Sequence, residues 1–241
     1  MTDLGHLHYF LSLQVLQSKE GIYLSESKYA CDLLHHFHME DCKLAPSPFQ
    51  SGAKLSITCT SLEVEATLYH QLVGKLFYLT HTRRYLSFVV GLIARFMQNP
   101  HEIHWKATNI ILHYVQGIVQ FGIHYNVEAS PQLAGFTDSN WVSDPDDQNS
   151  TVGYVFTLDS GPITWACKKQ SDISLSSAKA EYRGAIEASK EALWLHQILL
   201  EFGFQQQNST TLWCDNQISI QLCKDQFNVS IENTLNYTCT S

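Results

Sequence analysis

The sequence predicts a protein of the α+β or α/β class, in which a hairpin and a helical bundle precede a sheet packed against helices. Two observations support this prediction. Apolar residues recur every three or four positions over residues 63–116, as in amphipathic helices, and alternate with polar residues over residues 133–166, as in half-buried strands. A long helical pattern, a further strand and a short helix follow, which is the order of elements in a layered α/β domain.

Residues 1–126 are expected to form the hairpin and the helical bundle. The hairpin consists of apolar runs around polar turn residues: His8–Leu11, Leu13–Leu16 and Ile22–Leu24. Four helical patterns follow, beginning near residues 25, 63, 85 and 102. Asn99-Pro100 and Gly117 stand where the last two patterns end, as expected of residues that interrupt a helix.

Residues 132–227 are expected to form the sheet domain. Three strands joined by short turns indicate an antiparallel meander: Leu133–Thr137, Val152–Leu158 and Ile163–Ala166. A long helix is expected from about Ala178 to Phe202, with Ser176 or Ser177 as its N-cap. A fourth strand ends at Asp215, and a short helix begins just after it.

The composition of the chain indicates which cellular compartment and which kinds of partner to expect. The longest apolar runs are interrupted before they reach the roughly 20 residues that a membrane span requires, so no membrane partner is expected. No secretory signal is readable, and seven cysteines without C-x-x-C spacing favour reduced thiols. We therefore expect an intracellular protein, cytoplasmic or nuclear and not secreted. The net charge of -8 is unfavourable for a protein that grips phosphate backbones.

Three carboxylates, Asp138, Glu181 and Asp215, stand where different elements begin or end. An acid at a strand end can lie over a sheet, and an acid in the first turns of a helix packed on that sheet can face it. Close carboxylates repel one another unless a cation intervenes, and hard oxygen ligands suit Mg²⁺ or Mn²⁺. Taken singly, each acid is also explained as a cap, a turn residue or a surface position. Together, in this order of elements, they favour a two-metal phosphodiester hydrolase.

Five motifs surround these acids, in chain order: Gly135–Trp141, Ser150–Phe156, Lys168-Lys169-Gln170, Leu175–Tyr182 and Cys214–Gln217. Together they resemble the ribonuclease H domain of copia-type retrotransposon Pol polyproteins. The front half is similar to the segment that lies between the reverse-transcriptase palm and that domain. The motifs that carry this second resemblance are Asp3–Leu11, Leu24–Ala30, Leu72–Thr80 and His104-Trp105.

The resemblance implies a function and a set of site residues. Asp138, Glu181 and Asp215 would bind Mg²⁺ or Mn²⁺ as the catalytic acids that cut the RNA strand of an RNA/DNA hybrid, with no small-molecule cofactor. Other Pol or Gag products are candidate partners. The residues expected to touch the nucleic acid are Asn216, Gln217, Ser176 and Lys168, and the helix that follows Asp215 would offer the free N–H groups of its first turn.

The chain departs from the family pattern after residue 227, where the family continues into a fifth strand, a fourth metal-binding acid and a final helix. Residues 228–241 match none of it and are expected to be an unmatched tail. The predicted fold is therefore a ribonuclease H-like mixed sheet, truncated, with strands 1–3 antiparallel, strand 4 parallel and the last strand missing. Loss of a strand exposes backbone groups along a sheet edge and weakens a domain.

Two interpretations of the function remain at this point. The first is a ribonuclease H by descent, weak or inactive in this chain. The alternative is a non-catalytic, degenerate Pol remnant or a nucleic-acid-binding module. Residues 1–126 are expected to be a thumb- or connection-like segment of the reverse transcriptase, with the palm before Met1, so no reverse transcriptase activity is expected.

Overall fold

The structure is a computed structural model that describes residues 7–50, 55–127, 132–140, 146–159, 161–226 and 235–239. Parts of the predicted 135–141 motif and of the 228–241 tail therefore lie outside the described residues. The chain divides into two units, Met1–Val127 and Glu128–Ser241. Within the described segments, no helix combines the length and the apolar character that crossing a membrane requires.

The first unit contains a four-stranded antiparallel sheet, whose strands lie in the order β1-β2-β3-β4. The strands are β1 (Tyr9–Phe10), β2 (Leu13–Gln17), β3 (Gly21–Ser25) and β4 (Gly122–Asn126). The sequence predicted only the hairpin and missed β4. β4 pairs with β3 and places Ile123 opposite Leu24. The two strands are separated by about a hundred residues, so a pattern of neighbouring residues does not predict their pairing.

Four helices complete the first unit: α1 (Ser27–His36), α2 (Ala66–Leu79), α3 (Ser87–Ala94) and α4 (Glu102–Gly117). All four were predicted. The third is shorter than expected, because a 3-10 turn at Arg84–Leu86 precedes it. The helices share one apolar core, which includes Leu72, Leu76 and Ile111, so burial of their apolar stripes holds this unit together.

A fully buried ion pair joins three parts of the first unit. Arg83 Nη1 lies 3.4 Å from Glu26 Oε2, and both side chains are inaccessible to solvent. The Thr82 hydroxyl donates to the same Glu26 oxygen at 2.6 Å, and Arg83 Nη2 donates to the Val119 carbonyl at 3.0 Å. Burial raises the pKa of Glu26, while the bond from Thr82 and the charge of Arg83 oppose this rise. The start of α1 is thereby tied to the residues that follow α2 and α4.

The second unit contains a five-stranded mixed sheet, with strand order β7-β6-β5-β8-β9. The strands are β5 (Leu133–Asn140), β6 (Thr151–Leu158), β7 (Gly161–Lys169), β8 (Thr210–Cys214) and β9 (Leu235–Cys239). β5, β6 and β7 form an antiparallel meander, β8 pairs with β5 in parallel, and β9 pairs with β8 in parallel. The predicted fold class, with three antiparallel strands and a parallel fourth, is confirmed.

The prediction that the last strand is missing is wrong, because the tail itself supplies the fifth strand. Leu235 and Tyr237 are 3% and 7% exposed, and they alternate with the exposed Asn236. The Tyr237 hydroxyl also lies 2.8 Å from the Ser189 hydroxyl in a hydrogen bond. A parallel edge strand requires backbone pairing and one apolar face, not the family's own residues. The tail meets both conditions, so β8 is paired on both sides.

Two helices belong to the second unit. α5 (Ser177–Glu201) contacts β5, β6 and β8, and α6 (Gln217–Gln226) packs against α5. Of the two predicted caps the structure selects Ser176, whose hydroxyl accepts the Lys179 N–H at 3.2 Å. α5 lies close to the sheet because Gly184 faces it: a Cβ there would come within 2.7 Å of a Val152 methyl group.

Large side chains of neighbouring strands lie so close to position 135 of β5 that only a glycine fits there. A Cβ at this position would meet ring and methyl atoms of Phe156 and Leu212 at 2.4 and 2.8 Å. Both neighbours are fully buried in the apolar core of this unit. The glycine therefore leaves room for large side chains on the two strands that flank β5.

Candidate active site

The three predicted acids come from three elements of the second unit. Asp138 lies on β5, two residues before the strand ends, and its side chain is exposed. Glu181 is the fifth residue of α5 and only 4% exposed. Asp215 follows the last residue of β8 and is exposed. β5 and β8 are neighbours, and α5 packs on both, so the topology brings the three acids to one end of the sheet.

One backbone N–H group donates hydrogen bonds to two of the three acids. The Ser139 N–H donates to Glu181 Oε1 at 2.9 Å and to Asp138 Oδ1 at 2.8 Å. The carboxylates of β5 and α5 therefore share one donor and lie beside each other. The alternation of β5 turns Asp138 away from the buried side of the strand, while its neighbour Ser139 faces α5.

The pKa of Glu181 is raised from its ordinary value of 4.5 to about 7. Burial is the largest cause, and the charges of Asp215 and Asp138 add to it, while the bond from the Ser139 N–H acts in the opposite direction. A buried carboxylate beside two others is unfavourable as an anion unless a cation is close. This is the electrostatic condition of a site that binds a positive ion.

The closest group of candidate metal ligands differs from the predicted trio. One ligand atom from each of Glu181, Cys214 and Asp215 lies within 4.8 Å of the others, and within the described residues this is the only such group. Asp138 stands outside it, near enough to raise the pKa of Glu181. Cys214 was not predicted as a site residue. Its inward position follows from the alternation of β8, in which Leu212 and Cys214 are both buried, so the strand pattern contained that signal.

Gln170 supports the site from the end of β7 and was also missed. Its side chain is buried, and Nε2 donates to the Ala180 carbonyl at 2.9 Å and to the Ser139 hydroxyl at 3.3 Å. Its Oε1 accepts from the Ser174 hydroxyl at 2.8 Å. The side-chain amide of Gln170 thus links Ala180, which precedes Glu181, to Ser139, which follows Asp138. Gln170 belongs to the Lys168-Lys169-Gln170 motif, which was the available signal, although the motif by itself does not show that the side chain is buried.

The predicted nucleic-acid contacts occupy four different settings. Asn216 Oδ1 accepts the Ser219 N–H at 3.0 Å, so it caps α6, and Gln217 is the exposed first residue of that helix. Ser176 is exposed and caps α5. Lys168 is exposed near the end of β7, at a groove of about 400 Å³ that Gln170, Arg183 and Ile186 also line. Contacts of these four residues with nucleic acid remain predictions.

Positive charge in the second unit concentrates near the start of α5. Residues 128–241 carry six lysine and arginine side chains against fourteen aspartates and glutamates, so this unit holds the whole net charge of -8. Four of the six cations lie within residues 168–183: Lys168, Lys169, Lys179 and Arg183. Lys169 pairs with Asp147 at 2.5 Å, and Arg183 pairs with Asp172 at 3.6 Å.

Comparison with known proteins identifies close relatives over most of the chain. No family model matches it. It is 34% identical, over 217 residues, to the retrovirus-related Pol polyprotein from transposon RE2 of Arabidopsis thaliana. The match covers 90% of this chain and 15% of that polyprotein, so the chain spans about a seventh of its relative. The uncharacterized mitochondrial protein AtMg00810 of the same plant is 31% identical over 194 residues, which is 80% of each chain.

Among solved structures, LC11-RNase H1 from a compost metagenome covers 45% of this chain and 84% of its own, with a TM-score of 0.34 and 12% identity. That superposition is too weak to bear on function. The sequence relationship is much stronger, because two further retrovirus-related Pol polyproteins match over more than nine tenths of the chain at 33% and 34% identity. The chain therefore belongs to the family of retrovirus-related Pol polyproteins of copia-type transposons.

Proposed function

We propose that the second unit is a metal-dependent phosphodiester hydrolase of the ribonuclease H type, which cuts the RNA strand of an RNA/DNA hybrid. The observation that carries this proposal is the convergence of Asp138, Glu181 and Asp215 from β5, α5 and β8. A fold rarely gathers two carboxylates around a buried third without a cation, because the burial and the repulsion are both unfavourable.

The residues fit a hard divalent cation such as Mg²⁺ or Mn²⁺. Glu181 is buried with a raised pKa, and two exposed carboxylates stand next to it, open to solvent and substrate. Oxygen donors of this kind are the preferred ligands of these ions. Asp138, Glu181 and Asp215 would hold the metal, which when bound activates a water and stabilises the leaving oxygen of a phosphodiester.

The residues of the chain have separate tasks in this proposal. The Ser139 N–H orients Glu181, and Gln170 fixes the backbone on both sides of that contact. Asn216 caps α6 and so orders its first turn, whose free N–H groups suit a phosphate. Exposed Gln217, Ser176 and Lys168 would contact the sugar-phosphate backbone, which positions a hybrid without reading its sequence.

We also propose a role for the first unit as the thumb- or connection-like segment of a Pol polyprotein. The match to the RE2 polyprotein, which covers 90% of the chain, includes this unit and supports the proposal. Other Pol or Gag products are then its natural partners.

Hydrolysis of a labelled RNA/DNA hybrid with Mg²⁺ or Mn²⁺ tests the proposed activity. Asp138→Asn and Glu181→Gln should each reduce cleavage roughly 100-fold or more, because each removes an interaction worth several kcal/mol with the developing charge. Glu201→Gln is the matched control, since it makes the same chemical change at the last residue of α5, which is exposed. Equal cleavage by Asp138→Asn and the unaltered chain would refute the assignment.

One observation favours a second candidate, a non-catalytic, degenerate Pol remnant. The second unit carries all of the negative excess charge, which opposes binding to phosphates. A remnant of this kind would bind the hybrid equally with Mg²⁺ or with a chelator, or would not bind it at all, and would cleave it with neither Mg²⁺ nor Mn²⁺. The hydrolase instead requires cleavage that depends on the ion and on Glu181.

A further inference from the structure

A thiol lies inside the group of carboxylates. Cys214 Sγ is 4.0 Å from Glu181 Oε2, and the sulfur, a Glu181 oxygen and an Asp215 oxygen are all within 4.8 Å of one another. Cys214 is 1% exposed, because it ends β8 on the face that α5 covers. The proposed hydrolysis makes no use of this sulfur, since Mg²⁺ and Mn²⁺ prefer oxygen ligands.

A second observation concerns the two oxygens of Glu181, a side chain that is more than nine-tenths buried. Oε1 accepts the Ser139 N–H at 2.9 Å, which is an ordinary hydrogen bond. In the part of the chain that the structure describes, the only hydrogen-bond partner of Oε2 is the Cys214 sulfur at 4.0 Å. A thiol is a weak donor, so the bond that this oxygen accepts is a weak one, and a cation would be a stronger partner for it.

We propose that Glu181, Cys214 and Asp215 form a binding site for a thiophilic divalent cation of the Zn²⁺ type, in competition with the hard ion of the proposed hydrolase. Binding would convert the Cys214 thiol to a thiolate, with its proton released to solvent, and would form one metal–sulfur bond and two metal–oxygen bonds. One thiolate and two carboxylates are a ligand set that selects Zn²⁺, Co²⁺ or Cd²⁺ over Mg²⁺.

The distances suit such an ion after a small movement. Bonds of about 2.3 Å to sulfur and about 2.0 Å to oxygen place tetrahedral ligand atoms roughly 3.5 Å apart. The ligand atoms, now at most 4.8 Å apart, would close by about an ångström through side-chain rotation. Three protein ligands leave the fourth tetrahedral position to water. Because Glu181 and Asp215 belong to both sites, the two kinds of ion exclude each other.

Titration of the full chain with Co²⁺, followed by absorption, tests the binding site without any assay of activity. A thiolate bound to Co²⁺ gives a near-ultraviolet charge-transfer band that carboxylates alone do not give. We expect a saturable band that Zn²⁺ displaces and that is absent in Cys214→Ser. Cys223→Ser is the matched control, since Cys223 is buried in the same unit and the band should persist. Asp215→Asn should keep the band and weaken Co²⁺ binding roughly tenfold or more, through loss of one ligand.

The outcomes separate this inference from the proposed function. Absence of the band in the unaltered chain, or an equal band in Cys214→Ser, would overturn the site whether or not the chain cleaves a hybrid. Competition rests on the proposed hydrolase: Zn²⁺ should then inhibit Mg²⁺-dependent cleavage, and Cys214→Ser should raise the inhibitory Zn²⁺ concentration roughly tenfold or more relative to Cys223→Ser. A band that depends on Cys214 in a chain without cleavage would support the binding site and refute the hydrolase.

Discussion

Replacement of Glu181 by glutamine is expected to stabilise the metal-free chain at neutral pH. Glu181→Gln keeps the shape of the side chain and an oxygen that can accept the Ser139 N–H, now at 2.9 Å from Oε1. It removes a negative charge that is buried beside Asp215 and Asp138. A residue that binds an ion is often unfavourable for the stability of the empty protein, and glutamine relieves that conflict.

The size of the stabilisation expected for Glu181→Gln follows from the pKa of Glu181, which is raised from 4.5 to about 7 in the folded chain. Between these two values the folded state binds more protons than the unfolded state, so stability falls as the pH rises from about 4.5 to about 7 and is level above. A rise of this size corresponds to about 3 kcal/mol. Because glutamine does not titrate, the stability difference between the variant and the unaltered chain should be about 2 kcal/mol larger at pH 8 than at pH 5.

Urea unfolding at the two pH values, followed by tryptophan fluorescence, measures this difference. Four of the five tryptophans lie in the second unit, so the signal reports mainly on the unit that contains Glu181. Glu187→Gln, on the same helix with a side chain 48% exposed and paired with Lys190, is the matched control for replacing a glutamate of α5 by glutamine. A stability difference for Glu181→Gln that is equal at pH 5 and pH 8 would refute the reasoning.

Addition of Mg²⁺ at pH 8 should remove most of the stability difference between Glu181→Gln and the unaltered chain. At a concentration 100 times its dissociation constant, a bound ion stabilises the folded state by about 2.7 kcal/mol. The unaltered chain should gain close to this amount, whereas Glu181→Gln should gain much less, since it lacks one ligand. Equal gains for both proteins would show that Glu181 is not a ligand.

Three further predictions concern stability. Arg83→Ala should destabilise the first unit by roughly 3–5 kcal/mol in urea unfolding, because it leaves Glu26 buried without its partner, and the double variant Glu26→Gln/Arg83→Met should recover most of the loss. Gly135→Ala should cost about 1–3 kcal/mol through overpacking, whereas Gly153→Ala, with no atom closer than 3.8 Å to the new Cβ, should cost less. Tyr237→Phe should cost about 1 kcal/mol and raise amide exchange along the fifth strand; an unchanged exchange rate would argue against β9.

Local patterns in the sequence were sufficient for most of the elements. The four helices of the first unit, the meander β5–β7 and the long helix α5 all follow from the spacing of their apolar residues. β4 and β9 escaped prediction for different reasons. β4 is defined by pairing with a strand about a hundred residues away, and β9 lies in a tail whose residues differ from the family although its alternation suits a strand.

The candidate site was predictable in part. The types and spacing of Asp138, Glu181 and Asp215 indicated a shared site, and the structure places them at one end of the sheet. It also shows that Cys214 completes the closest set of ligand atoms, while Asp138 stands outside that set. Cys214 was not predicted as a metal ligand because a buried cysteine in a strand behaves as a small apolar residue, and the sequence pattern does not distinguish the two roles.

The sequence by itself determined the family, the order of the elements and the three acids, because these depend on residue types and on spacing along the chain. Only the tertiary structure decided that the tail pairs with β8, that one N–H of Ser139 holds two carboxylates, and that a thiol faces the buried oxygen of Glu181. The physical reason is that hydrogen bonds, burial and the electrostatics of ionisable groups depend on distances between atoms that lie far apart in sequence. A pattern along the chain contains no such distances.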